Sequence, residues 1–456
     1  WADDAMLGNQ SLMPDAIGRD NKGHNVYYML PLLLGVLGII WQCRRSRDGR
    51  GQAFMVFMLF FMTGIAIVIY LNQTPGEPRE RDYAFAGSFY AFAIWIGMGV
   101  MMLYRLVESA TKRLRLGKTA VAWAAVVIGL CVPLQMLSQT ADDHDRSGRT
   151  IARDAAVNYL ESLEPNAILF TNGDNFTFPL WYAQEVEGVR RDVRIINLAY
   201  LSTEWYASQL MLPIYDAAPV PTTATPQDIA MRRRKIAYFF DCDATPTDAV
   251  ESLREIYADS ASDNHRRLPR VAHPVITVPL DREALLRAGV VEESDTAHLP
   301  QVMTIDMRKM LSGRTSYIRM DELLMLDIIA TNAANGWERP IYWMNMCSGK
   351  DLLGFSPYLR QEALAYRLTP VNRAGCISID TDRSLAAVDR FAWGEKTADR
   401  RPYYDDMNGK MLSYQRRMLI ELATALIDEA EMMPLQRTQK LDDALRLLTI
   451  IVDYMP

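Results

Sequence analysis

Cysteine and histidine are scarce in this sequence, with five of each among 456 residues. The cysteines are scattered at Cys43, Cys131, Cys242, Cys347 and Cys376, and none belongs to a C-x-x-C pair. A zinc site or a thioredoxin-type motif is therefore not expected, and we predict no metal centre. Cys242, Cys347 and Cys376 lie in the second half, where one disulfide can form if that half lies outside the cytoplasm.

The sequence also lacks an excess of positive charge, since its formal net charge is −6. No broad basic field argues for nucleic acid as a partner. No G-x-G-x-x-G fingerprint and no Ser-His-Asp or Cys-His arrangement is visible, so no dinucleotide and no common nucleophilic triad is predicted. The chain begins without methionine or a signal peptide, and we interpret it as an internal or C-terminal fragment of a longer protein.

Charged side chains are missing from four apolar runs, at residues 26–41, 53–71, 84–104 and 119–137. A transmembrane helix needs about 20 mostly apolar residues, with a range of about 17–25. The runs therefore predict four transmembrane helices within residues 26–138. Buried core helices of a soluble protein are the alternative, but the basic loops between the runs favour the membrane interpretation.

The basic residues of those loops predict the orientation in the membrane. The loop after the first run carries four arginines against Asp48, and the loop after the third run carries five basic residues against Glu108. Because cytoplasmic loops carry the excess of lysine and arginine, both loops should be cytoplasmic. Residues 1–25, the loop 72–83 and everything after residue 138 are then periplasmic, in a multi-pass protein of a bacterial inner membrane.

The loop at residues 72–83 alternates in charge around two prolines and a glycine. Arg79 and Arg81 lie on the side where the charge bias disfavours basic residues. An arginine fork can hold phosphate oxygens with two hydrogen bonds, so one hypothesis is a binding site for a polyprenyl-phosphate headgroup. Glu80 and Asp82 would then bind sugar hydroxyls or orient the arginines. The alternative is a salt-bridged turn that fixes two helix ends at the membrane interface.

Beyond residue 138 the pattern predicts an α/β domain. A helix over 147–163 is followed by a strand at 167–170, a helix at 175–186, a strand at 193–198 and a helix at 203–211. This β-α-β order predicts a parallel sheet. Further strands are expected at 275–278, 301–305 and 340–344, and a further helix at 321–334.

Asp174 follows the first of these strands in the segment Thr171-Asn172-Gly173-Asp174-Asn175. Ligands of open α/β sheets bind outside the carboxyl ends of the strands, so Asp174 is a candidate for binding sugar hydroxyls, an acceptor or a cation. The alternative is that Gly173 turns the chain and that Asp174 or Asn175 caps the next helix.

Two helical runs, at residues 411–432 and 435–454, end the sequence. They predict a helical hairpin that resembles one tetratricopeptide-like unit. The expected organisation is thus a periplasmic segment (1–25), four transmembrane helices (26–138), a periplasmic α/β domain (139–405) and a helical hairpin (406–456).

Several phrases of the sequence resemble one family. They are YLNQTPGEPRERDYA at 70–84, GSFYAF at 87–92, AILFTNGDN at 167–175 with PLWY at 179–182, NGWERPIY at 335–342 and EALAYRL at 362–368. Together they resemble the large bacterial membrane proteins of the domain of unknown function 2723 family, which is related to the protein O-mannosyltransferase transmembrane protein 260. The resemblance spans nearly the whole chain.

The resemblance implies a C-type glycosyltransferase that takes a sugar from a polyprenyl-phosphate donor outside the cytoplasm. In that class the catalytic acid lies in the first extracytoplasmic loop, near the N-terminus, and no residue of this sequence matches it. The catalytic residue therefore stays unassigned. The implied partners are membrane lipid, the polyprenyl-phosphate donor and a protein acceptor, without a covalently bound cofactor.

Two other functions are compatible with the sequence. One is a non-enzymatic inner-membrane scaffold whose periplasmic domain binds envelope proteins. The other is a transporter, which is disfavoured because transporters usually carry charged residues within the membrane and the four apolar runs carry none.

Overall fold

The structure is a computed structural model. It describes residues 23, 25–73, 81–114, 117–230, 236–259, 270–310, 316–372, 378–394 and 406–455. The chain divides into two compact units, Trp1–Ser147 and Gly148–Pro456. The predicted helical hairpin lies within the second unit.

Five α-helices account for most of the described part of the first unit. They are α1 (Leu30–Arg45), α2 (Arg47–Thr63), α3 (Ile65–Leu71), α4 (Ala86–Ala110) and α5 (Lys118–His144). Three stretches there are long and apolar enough to cross a membrane: Arg47–Leu71, which joins α2 and α3, Asp82–Ala110 and Lys118–His144. The chain is therefore a membrane protein. The first of the four predicted spans corresponds to α1, which has 16 residues.

Helix α4 packs against its neighbours through a stripe of small and aromatic residues. Ser88, Ala91, Trp95 and Gly99 are the buried positions of this helix. The indole Nε1 of Trp95 donates a 3.0 Å hydrogen bond to Gln42 Oε1 of α1. Such close approach of backbones is what small residues permit in membrane bundles. The small residues Ser88, Ala91 and Gly99 thus lie at the buried face of α4.

The second unit is built on a mixed sheet, in which the described strands have the order β11-β9-β10-β8-β1-β2. At one end of the sheet β1 (Ile168–Thr171) pairs in parallel with both the edge strand β2 (Arg194–Asn197) and β8 (Ile341–Met344). Strand β10 (Ala365–Leu368) is antiparallel to β8 and to β9 (Leu359–Glu362), and β11 (Ser378–Ile379) is parallel to β9. All residues of β1, β2, β8 and β10 are buried, as expected for strands covered on both faces.

The remaining strands of the described residues form two small sheets. Strands β3 (Ile236–Tyr238) and β7 (Tyr317–Arg319) are an antiparallel pair. The other sheet contains β4 (Thr247–Asp248), β5 (Val275–Pro279) and β6 (Val302–Asp306), with β5 and β6 antiparallel. The strands predicted at 275–278 and 301–305 therefore exist, but they lie outside the parallel sheet. Both alternate between buried and partly exposed residues, which is the pattern of a sheet with one solvated face.

The helices of the second unit pack around these sheets. They are α6 (Ile151–Glu161), α7 (Asp174–Glu185), α8 (Glu204–Leu210), α9 (Pro226–Ala230), α10 (Ala249–Asp259), α11 (Arg282–Arg287), α12 (Met307–Met310), α13 (Met320–Ala334), α14 (Thr381–Val388), α15 (Asp406–Met432) and α16 (Arg437–Tyr454). The side chains of Met418, Leu419 and Leu422 on α15 are fully buried. The terminal helices are thus part of the same hydrophobic core as the main sheet.

Cys242 and Cys347 are free thiols. Cys347 is buried, and its Sγ lies 3.7 Å from the carbonyl oxygen of Phe170. The Sγ of Cys242 lies 3.2 Å from the carbonyl oxygen of Val271. These two cysteines do not form the disulfide that was considered, and Cys376 lies outside the described residues.

Candidate functional site

A polar crevice lies at the carboxyl ends of β1, β2 and β8. The next strand along the chain after β1 is its neighbour β2. The other neighbour, β8, comes only after β3 to β7, which belong to the two small sheets. The chain passes from β1 to β2 on one side of β1 and later enters β8 on its other side, which makes the β1–β8 boundary a topological switch point, the usual ligand site of such sheets. A cavity of about 480 Å³ opens here. Its wall contains Asn172 after β1, Leu198, Ala199 and Ser202 after β2, and Lys350 and Asp351 after β8.

Asp351 is a carboxylate of the crevice wall that connects the ends of β1 and β8. Its Oδ1 accepts a 3.1 Å hydrogen bond from Asn172 Nδ2. Its Oδ2 accepts from the backbone N–H of Ser348 at 3.4 Å, which is one half of a capping box around the short helix at residues 349–352. Both oxygens of the carboxylate are held in place in this way, while the side chain remains only partly buried. A preorganised acceptor of this kind suits a hydroxyl-bearing ligand.

The opposite wall of the crevice comes from the junction of β7 and α13. Arg319 ends β7 and Asp321 lies in the first turn of α13, and both line the cavity. Arg319 Nη2 donates to Asp321 Oδ2. The backbone N–H of Arg319 donates to Glu322 Oε2 at 2.9 Å, and this bond fixes the start of α13. The crevice thus contains charges of both signs, with the exposed Lys350 as the second cation.

The carboxyl group of Asp321 has a raised pKa. Burial raises the pKa of this carboxyl above its ordinary value of 3.8, and Glu322 adds to the effect, while Arg319 opposes it. Its side chain keeps 15% of its surface exposed. A carboxyl group that is reachable from solvent and holds its proton more tightly than usual is typical of functional sites.

The structure places Asp174 at the predicted edge of the sheet but outside the wall of the crevice. It is exposed, it begins α7, and its Oδ1 accepts a 3.0 Å hydrogen bond from Tyr200 Oη. Gly173, with φ +80°, occupies the N-cap position. Gly173 therefore turns the chain, as the alternative predicted, but neither Asp174 nor Asn175 caps the helix, since no side-chain hydrogen bond is made at the N-cap. Asp174 lies in the first turn, where an acidic residue complements the helix dipole.

Arg81, predicted to bind the lipid phosphate, and Asp82, predicted to contact the sugar, lie at the end of the loop between α3 and α4. The backbone N–H of Arg81 donates to Gln73 Oε1 at 3.4 Å, so the two ends of the loop meet. Asp82 begins a short 3₁₀ helix, Asp82–Phe85, and both side chains are exposed. Arg79 and Glu80 lie outside the described residues. The phosphate-binding role of this loop stays a prediction.

Sequence reasoning missed most of the crevice. The rule that drew attention to the end of β1 also applies to the strand predicted at 340–344, and it would have singled out Asp351 eleven positions after its start. Arg319 and Asp321 carry no comparable signal, because β7 belongs to a different sheet. Only the tertiary structure brings them to the ends of β1 and β8.

These features define a class: a membrane protein with membrane-length helices and an α/β unit that carries a polar crevice at a switch point. The family model named TMEM260-associated domain 2 matches residues 152–384, just over half of the chain. The protein belongs to the TMEM260-associated domain 2 family. The match covers β1 to β11 and all lining residues of the crevice.

No curated protein matches the chain, and no solved structure matches it.

Proposed function

We propose that this protein supplies the membrane helices and the acceptor-binding domain of a polyprenyl-phosphate-sugar-dependent glycosyltransferase. The enzyme would be of the protein O-mannosyltransferase type, acting on the periplasmic side of a bacterial inner membrane. The observation that carries the proposal is the crevice at the β1–β8 switch point, on a TMEM260-associated domain that is fused to membrane-length helices. The resemblance to the domain of unknown function 2723 family supports the same assignment.

The transfer joins an acceptor hydroxyl to the anomeric carbon of the sugar and releases the polyprenyl phosphate. Such a reaction needs a carboxylate that takes the hydroxyl proton and cations that stabilise the departing phosphate. We assign the crevice to the acceptor, with Asp351 and Asn172 binding its polar groups. Arg79 and Arg81 would hold the lipid phosphate, and Glu80 and Asp82 would contact the sugar.

We further propose that α1 is a fourth membrane span. Its 16 residues correspond to about 24 Å at 1.5 Å per residue, somewhat less than the hydrocarbon core of about 30 Å. Its buried positions Leu34, Gly35, Gly38 and Trp41 support a place within the helix bundle. Basic side chains at its end, Arg44 and Arg45, would reach the cytoplasmic headgroups.

The deciding experiment compares envelope glycoproteins by mass spectrometry in cells with and without the gene. We expect a defined glycan, or its first sugar, to disappear from protein acceptors without the gene and to return with the wild-type copy. Complementation with Asp351→Ala, or with Arg79→Ala and Arg81→Ala together, should fail. Asp389→Ala removes an exposed carboxylate that does not line the crevice, and it should complement fully.

A scaffold function is the second candidate, and one feature of the terminal helices favours it. Apolar side chains remain exposed along α15 and α16, among them Ile420, Leu445 and Val452. A partner protein, or further tetratricopeptide-like helices, would cover such a face. If the glycoproteome is unchanged without the gene while envelope assembly suffers, the scaffold replaces the transferase.

A further inference from the structure

A second cavity lies beside the outer edge of β2 and shares no lining residue with the crevice. Its volume is about 300 Å³, at the lower end of the range of about 300–1,000 Å³ for small-molecule pockets. Its walls come from α7, β2, α8 and the turn at residues 214–217. The rings of Trp181, Trp205, Tyr206 and Tyr215 form much of this wall. A ligand of this pocket must therefore be small and must present a flat or apolar face.

In the aromatic wall, Tyr206 is held by hydrogen bonds and Trp205 is exposed. Tyr206 Oη accepts a 2.9 Å hydrogen bond from the backbone N–H of Asn197 and donates to the carbonyl oxygen of Ile195, which covers the edge of β2. Trp205 stacks edge-on against Tyr206 at 5.5 Å, yet 59% of its surface is exposed. The indole of Trp205 is thus positioned by the fold and free to contact a ligand ring.

Arg194 of β2 is a lining residue of the same pocket. Only 4% of the residue is exposed. Its Nη2 donates a 2.8 Å hydrogen bond to the carbonyl oxygen of Gln209. Its Nη1 has no hydrogen-bond partner among the residues that the structure describes. Within that part of the chain the structure pairs no carboxylate with Arg194, and burial lowers the pKa of this arginine.

A second buried arginine, Arg339, lies close enough to act on Arg194. Its Nη1 donates to the carbonyl oxygens of Ala218 and Pro219, next to the lining residue Ala217. Its Nη2 has no partner in the described structure. Burial and then the like charge of Arg194 lower the pKa of Arg339 to about 10. Two neighbouring cations are therefore buried without a compensating anion in the described residues.

A buried charge is costly unless it is paired, and natural proteins rarely keep one without a counter-ion. We propose that this pocket binds an acidic sugar, a single ring with one carboxylate, which pairs with Arg194 while the ring lies against Trp205 and Tyr215. The rim also carries Glu185, which already accepts a hydrogen bond from the Tyr215 hydroxyl. Such a carboxylate suits a ligand with hydroxyl donors, which a sugar has and an aromatic acid lacks. This binding does not depend on the proposed transferase activity.

The test is calorimetric titration of the full chain in detergent micelles with glucuronate, glucose and benzoate. We expect glucuronate to bind, and glucose to bind at least about tenfold more weakly, because a hydrogen bond to a charged group is worth about 1.5–3 kcal/mol. Benzoate should also bind more weakly than glucuronate. Equal affinity for glucose would overturn the role of the carboxylate, and equal or tighter binding of benzoate would overturn the sugar.

Two variants connect the binding to this pocket. Arg194→Gln should weaken glucuronate binding at least about tenfold. Because a buried substitution can unfold the domain, Trp205→Ala provides the second arm, since its ring is largely exposed. Trp205→Ala should lose binding, and Tyr182→Ala, which removes a half-exposed ring of α7 outside the pocket, should keep it. Wild-type affinity in Trp205→Ala, or no glucuronate binding to the wild type, would overturn the proposal.

Discussion

Asn172 Nδ2 donates a 3.1 Å hydrogen bond to Asp351 Oδ1, and 179 positions of sequence separate the two residues. One follows β1 and the other follows β8, the adjacent parallel strand. The bond therefore joins the two sides of the switch point at the level where ligands of open sheets are held. It connects the fold of the domain directly to the proposed acceptor site.

Asp351→Ala should reduce sugar transfer by a factor of about 10–100 at unchanged expression, because it removes a charged acceptor worth about 1.5–3 kcal/mol. The assay measures transfer from a polyprenyl-phosphate sugar to an envelope acceptor by purified full-length protein. Asn172→Ala should cause a smaller loss. The double variant should lose less than the product of the two single effects, since each change breaks the same contact. Strictly multiplicative losses would show that the two residues act independently.

Much of the main sheet could be predicted from the sequence, because its strands are short apolar runs separated by amphipathic helices. The predicted strands at 167–170, 193–198 and 340–344 agree with β1, β2 and β8 within two residues. The predicted helix at 321–334 agrees with α13. In each case the local apolar pattern and the tertiary environment favour the same structure, so the pattern alone was sufficient.

The β9–β10 hairpin shows why the rest could not be predicted. Its turn is formed by Ala363 and Leu364, without the glycine or asparagine that tight turns usually carry, and Ala363 adopts φ +49°. Hydroxyl groups from distant parts of the sequence accept the hydrogen bonds of the N–H groups in this turn. Ser384 Oγ accepts from the Ala363 N–H at 2.8 Å, and Ser162 Oγ lies 3.4 Å from the Leu364 N. Long-range contacts of this kind leave no local signal, and the same holds for Arg319 and Asp321 in the crevice.

Asp327→Ala should destabilise the second unit by about 3 kcal/mol or more. The carboxylate is fully buried and accepts hydrogen bonds from the Thr222 hydroxyl, from the N–H and hydroxyl of Thr223, and from the N–H of Ala224. Without it, several buried donors have no acceptor. Thermal unfolding of the solubilised chain, followed by tryptophan fluorescence, measures the effect.

The matched control for this change is Asp228→Ala. Asp228 also accepts hydrogen bonds from a threonine backbone and hydroxyl, those of Thr225, but this contact is exposed to water. Its loss should cost about 1 kcal/mol or less, as for a helix cap. If the two variants unfold at the same temperature, the buried carboxylate is not what holds the 222–224 segment.

Asp321 should make the stability of the protein fall as pH rises from about 3.8. Burial raises the pKa of Asp321 above its ordinary value of 3.8, so the folded protein holds this proton more tightly than the unfolded chain does. The contribution of Asp321 to the free energy of unfolding is then fully present below the unfolded pKa, and it is lost as pH rises through the folded pKa. Relative to Asp321→Asn, the wild type should therefore lose stability across this window, in thermal unfolding measured at a series of pH values.

Asp192 provides a control of opposite sign in the same experiment. Burial would raise its pKa, but hydrogen bonds from Arg190 and from the Asn166 N–H outweigh burial, and the pKa of Asp192 is lowered. Its contribution is present above the unfolded pKa of 3.8 and is lost as pH falls through the folded pKa. Asp192→Asn should thus destabilise the protein near neutral pH and lose its effect in acid. Parallel pH profiles for the two variants would contradict at least one of the two assignments.

Three glycines of α1 and α4 should respond to alanine in a graded order. A Cβ on Gly38 would lie 1.8 Å from the backbone carbonyl oxygen of Trp95, so α1 and α4 must separate. We expect Gly38→Ala to cost about 1–3 kcal/mol. A Cβ on Gly35 would meet the far end of the Phe92 ring, which can rotate away, and the cost should be smaller.

Gly97 completes the series, because no atom of the described residues outside its immediate helix neighbourhood lies within 4 Å of a Cβ placed there. Gly97→Ala should be neutral or should stabilise the protein by up to about 1 kcal/mol, through helix propensity alone. The measurement is thermal unfolding of the detergent-solubilised chain at equal protein concentration. Because Gly38 and Gly97 both lie within apolar helices, their substitutions differ in packing rather than in hydropathy. The same unfolding temperature for both variants would mean that α1 does not pack closely on α4.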